Sequence, residues 1–197
     1  MKERPIMFKA AMVRAILENR KTQTRRLVKF TDSGRVKRPG SSLNWHIEDP
    51  NAAFACPYGM AWDRLWVRET FADTTDLHVD DPGWVYRATD PDWSTMEGFK
   101  WRPSIFMPRA ASRLNLGITG VRVERLNQIS DEDAMAEGIR CYTAGDILAY
   151  AVSPDSRDDA EATARMAFRA LWQSINGADS WDANPWVWVV NFERLES

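Results

Sequence analysis

The sequence predicts a single α+β domain in which several short strands and a few helices form a small mixed β-barrel. Its 197 residues lie near the upper end of one ordinary domain. Hydrophobic residues make up 44% and charged residues 27%, a globular composition that excludes a mainly disordered chain. Residues 186–192 are apolar on both alternating faces, which is typical of an interior strand covered by helices.

The N-terminal half contains four further local patterns. Residues 5–8 and 84–87 are short strand candidates, and the alternation over 64–71 predicts a longer strand. Apolar residues at helical spacing predict a short helix over 11–19. This order of elements favours a mixed arrangement over an all-helical one.

A change of phase marks the strand that follows residue 114. Leu114, Leu116 and Ile118 alternate, and the apolar positions then shift to Val121 and Val123. The shift falls at Gly120, which predicts either one bent strand with a bulge or two strands joined by a tight turn.

Two helices are predicted in the C-terminal half. Ser130 is a good N-cap for a helix with an acidic first turn, and Gly138 is placed to end it. A second helix is predicted from about Asp155 to Asn176, stopped by Gly177. Its apolar stripe consists of Phe168, Leu171, Trp172 and Ile175.

Stretches rich in Pro, Gly and Asp are predicted to be long loops. They lie around 31–60, 72–83, 88–110 and 139–156. The single domain, residues 1–197, is therefore expected to carry insertions at about 29–60, 88–110 and 139–180.

Several classes of protein are disfavoured. No apolar run approaches the ~20 residues of a membrane-spanning helix, and the N-terminus lacks an apolar signal core, so a cytoplasmic protein without membrane contact is expected. The two cysteines predict free thiols. There is no P-loop, dinucleotide-binding glycine pattern or Cys-x-x-Cys pair, and the histidines and cysteines lack metal-ligand spacing. No cofactor and no metal are expected.

The formal net charge of −2 conceals a strong asymmetry. Residues 1–38 hold 12 Lys and Arg against 3 Asp and Glu, a net of +9, whereas the rest of the chain has a net of −11. A segregated basic segment is a candidate anion site, and nucleic acid is the commonest large anionic partner. A solvated basic face is the alternative interpretation.

The densest part of this segment runs from Arg20 to Arg26. Crowding of like charges disfavours protonation of Lys21, so a lowered pKa would let it act as a base near neutral pH. A neutral lysine beside Thr24 is one way to activate an oxygen nucleophile without histidine. The alternative is a helix end whose cations offset the dipole and whose threonines begin a strand.

Glu137 is the second unusual residue. It lies in the last turn of the helix that follows Ser130, against the negative end of the dipole, which costs about 0.3–1 kcal/mol. Such a group does not stabilise its helix, which favours a proton-donor role, although exposed glutamates at helix ends are common.

Ten tryptophans are many for this length. Four lie in core-like patterns and are assigned to packing: Trp172, Trp181, Trp186 and Trp188. Four lie in loops, where their faces can stack on a base or pack against the domain: Trp45, Trp62, Trp93 and Trp101.

Four segments resemble parts of one family. Residues 16–26, Ile-Leu-Glu-Asn-Arg-Lys-Thr-Gln-Thr-Arg-Arg, resemble the opening signature of ASCH domains, small barrels related to the PUA group of RNA-binding folds. Residues 63–69 resemble the strand that follows, 129–138 the short acidic helix, and 186–192 the closing strand. The whole chain is similar to a longer, phage- and prophage-associated branch whose members mostly carry no assigned activity.

The resemblance implies an activity, since the best-defined enzymes of the family are bacterial N4-acetylcytidine amidohydrolases. It implies Lys21 as base, Thr24 as nucleophile and Glu137 as the proton donor to the leaving amine. Arg26 matches a basic position of the motif that would hold a substrate oxygen or the oxyanion. Further residues expected to bind substrate or nucleic acid are Arg20, Arg25, Trp66 and Arg68. Those enzymes are about half this length, and the match covers roughly 5–28, 60–71, 112–138 and 186–193.

Three hypotheses follow. The first is an amidohydrolase that removes an acyl group from the exocyclic N4 of a cytidine-type nucleoside or RNA. The second is a non-catalytic RNA- or nucleotide-binding module, or a metal-independent ribonuclease with the same groove. The third is a phage interaction or assembly protein, which predicts a large exposed apolar patch and no open pocket at Lys21. The oligomeric state is left open.

Overall fold

A computed structural model describes residues 1–37, 44–49, 51–75, 83–96, 99–144, 147–152 and 160–196. Its helices are α1 (Ala10–Leu17), α2 (Asp131–Ala136) and α3 (Ala164–Asn176). The strands are β1 (Glu3–Met7), β2 (Gln23–Leu27), β3 (Val36–Lys37), β4 (Asn44–Trp45), β5 (Arg64–Arg68), β6 (Phe71–Asp73), β7 (Trp84–Tyr86), β8 (Asn115–Arg125), β9 (Arg140–Ala144), β10 (Ile147–Ala151) and β11 (Trp186–Leu195).

A five-stranded sheet organises the fold, in the order β1-β5-β8-β11-β2. β1 runs parallel to β5, and the other neighbours are antiparallel. The α+β class is confirmed, but the predicted barrel is not closed by strand pairing: within the described residues, β1 and β2 are the two edges of this sheet. A side chain joins these edges instead, since Arg26 Nη2 donates to the Met7 carbonyl at 2.6 Å.

β11 has the predicted interior position, between β8 and β2. One of its faces contributes Trp188, Val190 and Phe192 to the core that α1 covers. The other contributes Val187 and Val189 to a second core with α2 and α3. A strand apolar on both faces therefore does serve two hydrophobic layers.

The phase change at Gly120 is a bulge within one bent strand, β8. Asn191 pairs with Gly120, and the next residue, Phe192, pairs with Ile118, so Thr119 has no partner in the ladder. The single-strand alternative is confirmed.

The ends of α2 agree with the prediction, whereas the start of α3 does not. The Ser130 side chain caps α2 by accepting from Asp133 N at 3.1 Å, and Gly138 (φ +103°) follows its C-cap, Glu137. Helix α3 begins at Ala164, later than the predicted start near Asp155, because the Thr163 side chain caps it by accepting from Met166 N. Residues 153–159 of the predicted helix lie outside the described part.

Several predicted loops contain regular structure. β9 and β10 form a hairpin within the expected 139–180 insertion, and β3 and β4 pair within 29–60. The predicted strand over 64–71 ends at Arg68, and β6 then pairs with β7. Short 3-10 helices form at 52–55, 91–95, 104–106 and 109–111. In the described part of the chain, no helix has the length and apolar character needed to cross a bilayer.

Replacing Gly138, which follows α2, is predicted to destabilise the protein more than replacing Gly177, which follows α3. A Cβ there would lie 3.1 Å from the Ala15 Cβ and 3.4 Å from the Lys21 Cβ. Gly177 has nearly the same φ, +101°, but open space around it. We expect Gly138→Ala to lower the free energy of unfolding by about 1–3 kcal/mol more than Gly177→Ala, which is the cost of an overpacked contact. Urea denaturation of both variants measures this difference, and equal losses would contradict it.

Candidate functional site

A cavity of about 260 Å³ runs along the edge strand β2. Four consecutive residues of β2, from Thr24 to Leu27, line it, together with the apolar stripe of α3 and the residues around the start of α1. Five of the described lining residues are cationic and one is acidic: Lys9, Lys21, Arg25, Arg26, Lys29 and Glu137.

Lys21 enters this cavity from the turn between α1 and β2. Its backbone N–H donates to the Ala15 carbonyl at 3.0 Å, which holds the turn against the helix end. Its side chain is 2% exposed, and Nζ donates to the Gln23 carbonyl and the Glu137 carbonyl, both at 2.8 Å. The third contact is the Glu137 carboxylate, at 2.7 Å from Nζ to Oε2.

Glu137 reaches Lys21 because α2 ends against the start of β2. Thr22 N donates to the Ala136 carbonyl at 2.9 Å, a backbone bond between the two segments. Glu137 is the C-cap of α2, as its predicted place at the helix end requires. Its side chain is 4% exposed, so it is not one of the common solvated glutamates.

Arg25 is the centre of a buried charge network. Its side chain is fully buried and contacts three acids: the Glu124 carboxylate, Asp133 Oδ2 at 2.8 Å and Glu137 Oε1 at 3.3 Å. The Gln23 side chain links Arg25 to one of these acids. Its amide oxygen accepts from Arg25 Nη1, and its amide nitrogen donates to Asp133 Oδ1 at 3.0 Å. A buried guanidinium is tolerated only with such partners.

The pKa of Lys21 is lowered from its usual 10.5. Burial is the largest cause; Glu137 opposes it, and Arg26 and Arg25 lower the pKa further. The direction agrees with the prediction from crowded charge, but the main cause is the loss of solvent, which the local sequence does not record.

Thr24 provides a hydroxyl at the same cavity wall. The residue is 4% exposed, and its hydroxyl makes no hydrogen bond to any residue in the described ranges. Lys21, Thr24 and Glu137 thus meet at one cavity, although the Nζ contacts go to Gln23 and Glu137 and not to Thr24.

Comparisons with known proteins leave the family open. No protein-family model matches the chain, and no curated protein or solved structure matches it significantly. The chemistry of the site therefore has to be inferred from its own geometry.

The structure brings together five of the predicted site residues and separates three. Arg20 lies outside the cavity, donating to Glu18 Oε2 at 2.7 Å and to the Gly138 carbonyl at 2.8 Å. Trp66 and Arg68 are also elsewhere, on β5. Arg68 stacks over Trp66, 5.4 Å from the ring centre, and donates to the Ile105 carbonyl.

Several lining residues were missed by the sequence interpretation. They are Lys9, directly before α1, Lys29, two residues after the end of β2, and Tyr58, from a more distant segment. The predicted apolar stripe of α3, of which Trp172 was assigned to packing, also lines the cavity, and Ile175 is 48% exposed. The indole N–H of Trp172 is buried without a hydrogen-bond partner in the described residues. An apolar stripe carries no sequence signal that separates a core face from a cavity wall.

No metal-binding cluster is found in the part of the chain that the structure describes, where no three His, Cys, Asp or Glu side chains are grouped suitably. The functional groups at the cavity are an amine, a carboxyl and a hydroxyl, together with guanidinium groups. These can transfer protons, attack an electrophilic carbon and stabilise an anion.

The lowered pKa of Lys21 predicts a pH-dependent stability. At pH values between the folded-state pKa and the usual 10.5, the unfolded chain binds more protons than the folded protein. The free energy of unfolding contributed by Lys21 therefore rises with pH through this window, by at most about 1.4 kcal/mol per pH unit. The measurement is the stability difference between wild type and Lys21→Met across the alkaline range. A difference that stays flat across this range would contradict the lowered pKa of Lys21.

Proposed function

We propose that this protein is an ASCH-type, PUA-like amidohydrolase that removes an acyl group from the exocyclic N4 of a cytidine-type substrate. The four segments that resemble the family contribute to β2, β5, α2 and β11. The three strands, β2, β5 and β11, lie in the central sheet. The helix, α2, contacts the start of β2 through a hydrogen bond from the Thr22 N–H to the Ala136 carbonyl. This arrangement supports the resemblance.

The observation that carries the proposal is the buried contact of Lys21 Nζ with Glu137 Oε2, at 2.7 Å, at a cavity wall that Thr24 shares. Moving one proton along this hydrogen bond converts an ion pair into a neutral amine and a carboxylic acid. Burial lowers the pKa of Lys21 and so favours its amine form. The amine is then a base and the acid a proton donor, the two groups that amide hydrolysis requires.

The proposed cycle needs water as its only other reactant. The Thr24 hydroxyl gives its proton to the Lys21 amine as its oxygen bonds to the acyl carbon, and the carbon–N4 bond breaks as Glu137 protonates N4. Water then attacks the acyl-Thr24 ester, giving a proton to the Glu137 carboxylate, while the Lys21 ammonium returns a proton to the Thr24 oxygen. The products are the amine and a carboxylic acid, and every group regains its starting state.

The hydrogen bonds of Lys21 Nζ must change for this cycle to begin. In the free protein, Lys21 Nζ is held by the Gln23 carbonyl and by Glu137. A bound acyl group would bring the Thr24 hydroxyl to Nζ and the leaving nitrogen to Glu137. Catalytic hydrogen bonds of this kind are often incomplete without substrate and tighten when it binds.

The size of the cavity favours a small substrate over a polymer. Its volume, about 260 Å³, is just below the ~300–1,000 Å³ of typical small-molecule sites. Arg25, one of the cations expected to contact RNA phosphates, has no exposed side-chain surface and is neutralised by acids. An open, positively lined cavity at Lys21 also disfavours an assembly role.

RNA binding without turnover, or RNA cleavage in the same groove, is the second candidate. Its specific support is the excess of cationic over acidic side chains in the cavity lining. RNA affinity that falls steeply with added salt, without release of cytidine from an acetylated substrate, would favour it.

Thr24→Val is the sharpest test of the mechanism. Valine has the shape of threonine and suits a strand, and the Thr24 hydroxyl has no hydrogen bond to lose in the described part of the chain. We expect unchanged thermal stability with loss of cytidine release from N4-acetylcytidine by at least about 100-fold. Thr24→Ser, which keeps the hydroxyl, should retain turnover.

Lys21→Ala tests the base in the same assay. Release of cytidine should vanish, with circular dichroism confirming that the variant is folded. Lys2→Ala, at an exposed lysine outside the cavity, is the matched control. Full activity in folded Lys21→Ala would overturn the mechanism, and no activity in wild type would favour RNA binding.

A further inference from the structure

The mouth of the cavity carries positive charge that no acidic lining residue offsets. Lys9 and Lys29 line the cavity and are exposed, so they lie where it opens to solvent. Neither forms an ion pair with the described residues, whereas Lys21 is paired with the buried Glu137, and Arg25 with Glu124 and Asp133. The cations of the lining without an acidic partner among the described residues are therefore Lys9, Lys29 and Arg26.

Arg26 adds a positioned donor to the same cavity lining. Its guanidinium donates to the Met7 carbonyl at 2.6 Å and lies 5.2 Å from the centre of the Phe8 ring. Its Nε atom is buried and has no hydrogen-bond partner in the described segments. A buried N–H without a partner is unfavourable, so an oxygen supplied by a ligand would stabilise it.

The start of α1 reinforces the same charge. The helix begins at Ala10, directly after Lys9, with no side-chain cap and no acidic residue in its first turn. The positive end of the helix dipole is thus not neutralised locally. Two lysines and an arginine with an unused donor form a suitable environment for a phosphate group at the cavity.

We infer that the mouth of this cavity binds a phosphate group, which makes the substrate class a cytidine-type nucleotide rather than a free nucleoside. The inference rests on the proposed function for the identity of the base, but Lys9 and Lys29 have no part in the proposed proton transfers. RNA and a mononucleotide both present phosphate. The cavity volume, about 260 Å³, favours the mononucleotide.

The test compares the affinities of cytidine and cytidine 5′-monophosphate by isothermal titration calorimetry. Wild type should bind the phosphate form about tenfold more tightly, the effect of one charge-assisted hydrogen bond. Raising the salt concentration should reduce this preference. The double variant Lys9→Gln/Lys29→Gln should lose this preference for the phosphate form.

The matched control is Lys2→Gln/Lys100→Gln, which removes the same charge from two exposed lysines outside the cavity. This variant should keep the preference. Equal affinity for the two ligands in wild type, or equal loss in both double variants, would overturn the inference. The second result would mean that net charge, and not the entrance, attracts phosphate.

Turnover separates the two proposals. The assay compares kcat/KM for three substrates: N4-acetylcytidine, its 5′-monophosphate and a short RNA with one internal acetylated cytidine. The monophosphate should have the highest kcat/KM. Hydrolysis of all three without preference would sustain the amidohydrolase and overturn the phosphate site. Preference for the RNA would overturn the mononucleotide assignment. Tighter binding of cytidine 5′-monophosphate without any hydrolysis would support the phosphate site and overturn the proposed function.

Discussion

The buried contact between Lys21 and Glu137 joins the parts of the chain on which the cavity depends. It connects the turn after α1 to the end of α2, where Thr22 and Ala136 also share a backbone hydrogen bond. Well-packed apolar residues usually stabilise a core as well as a buried ion pair does. A buried amine and carboxyl at a cavity wall are also the kind of groups that cluster at functional sites, and this supports the proposed function.

The cavity lies along an edge of the central sheet. Within the described residues β2 is an edge strand, and its residues Thr24 to Leu27 line the cavity together with the apolar stripe of α3. Arg26 spans to the Met7 carbonyl on the opposite edge. A closed barrel would fill this space with a strand ladder, whereas the open edge leaves backbone and side chains available to a ligand.

The charge asymmetry of the sequence is resolved in three dimensions. Acids from the later part of the chain, Glu124, Asp133 and Glu137, neutralise the basic segment at Arg25 and Lys21. Lys9 and Lys29 remain without such partners among the described residues. The +9 of residues 1–38 is thus partly neutralised inside the protein, while Lys9 and Lys29 keep their charge at the proposed phosphate site.

Local patterns by themselves determined the two-sided strand β11, the bulge beside Gly120 and the ends of α2 at Ser130 and Gly138. Each depends on alternation, backbone freedom or a cap, which are properties of neighbouring residues. The sequence also indicated Lys21 and Glu137, through crowded charge and an unfavourable helix position. Only the tertiary structure decided that the strands form an open sheet, that burial rather than crowding lowers the Lys21 pKa, and that the α3 stripe lines a cavity. Those features depend on which distant segments meet, and short-range periodicity carries no record of such contacts.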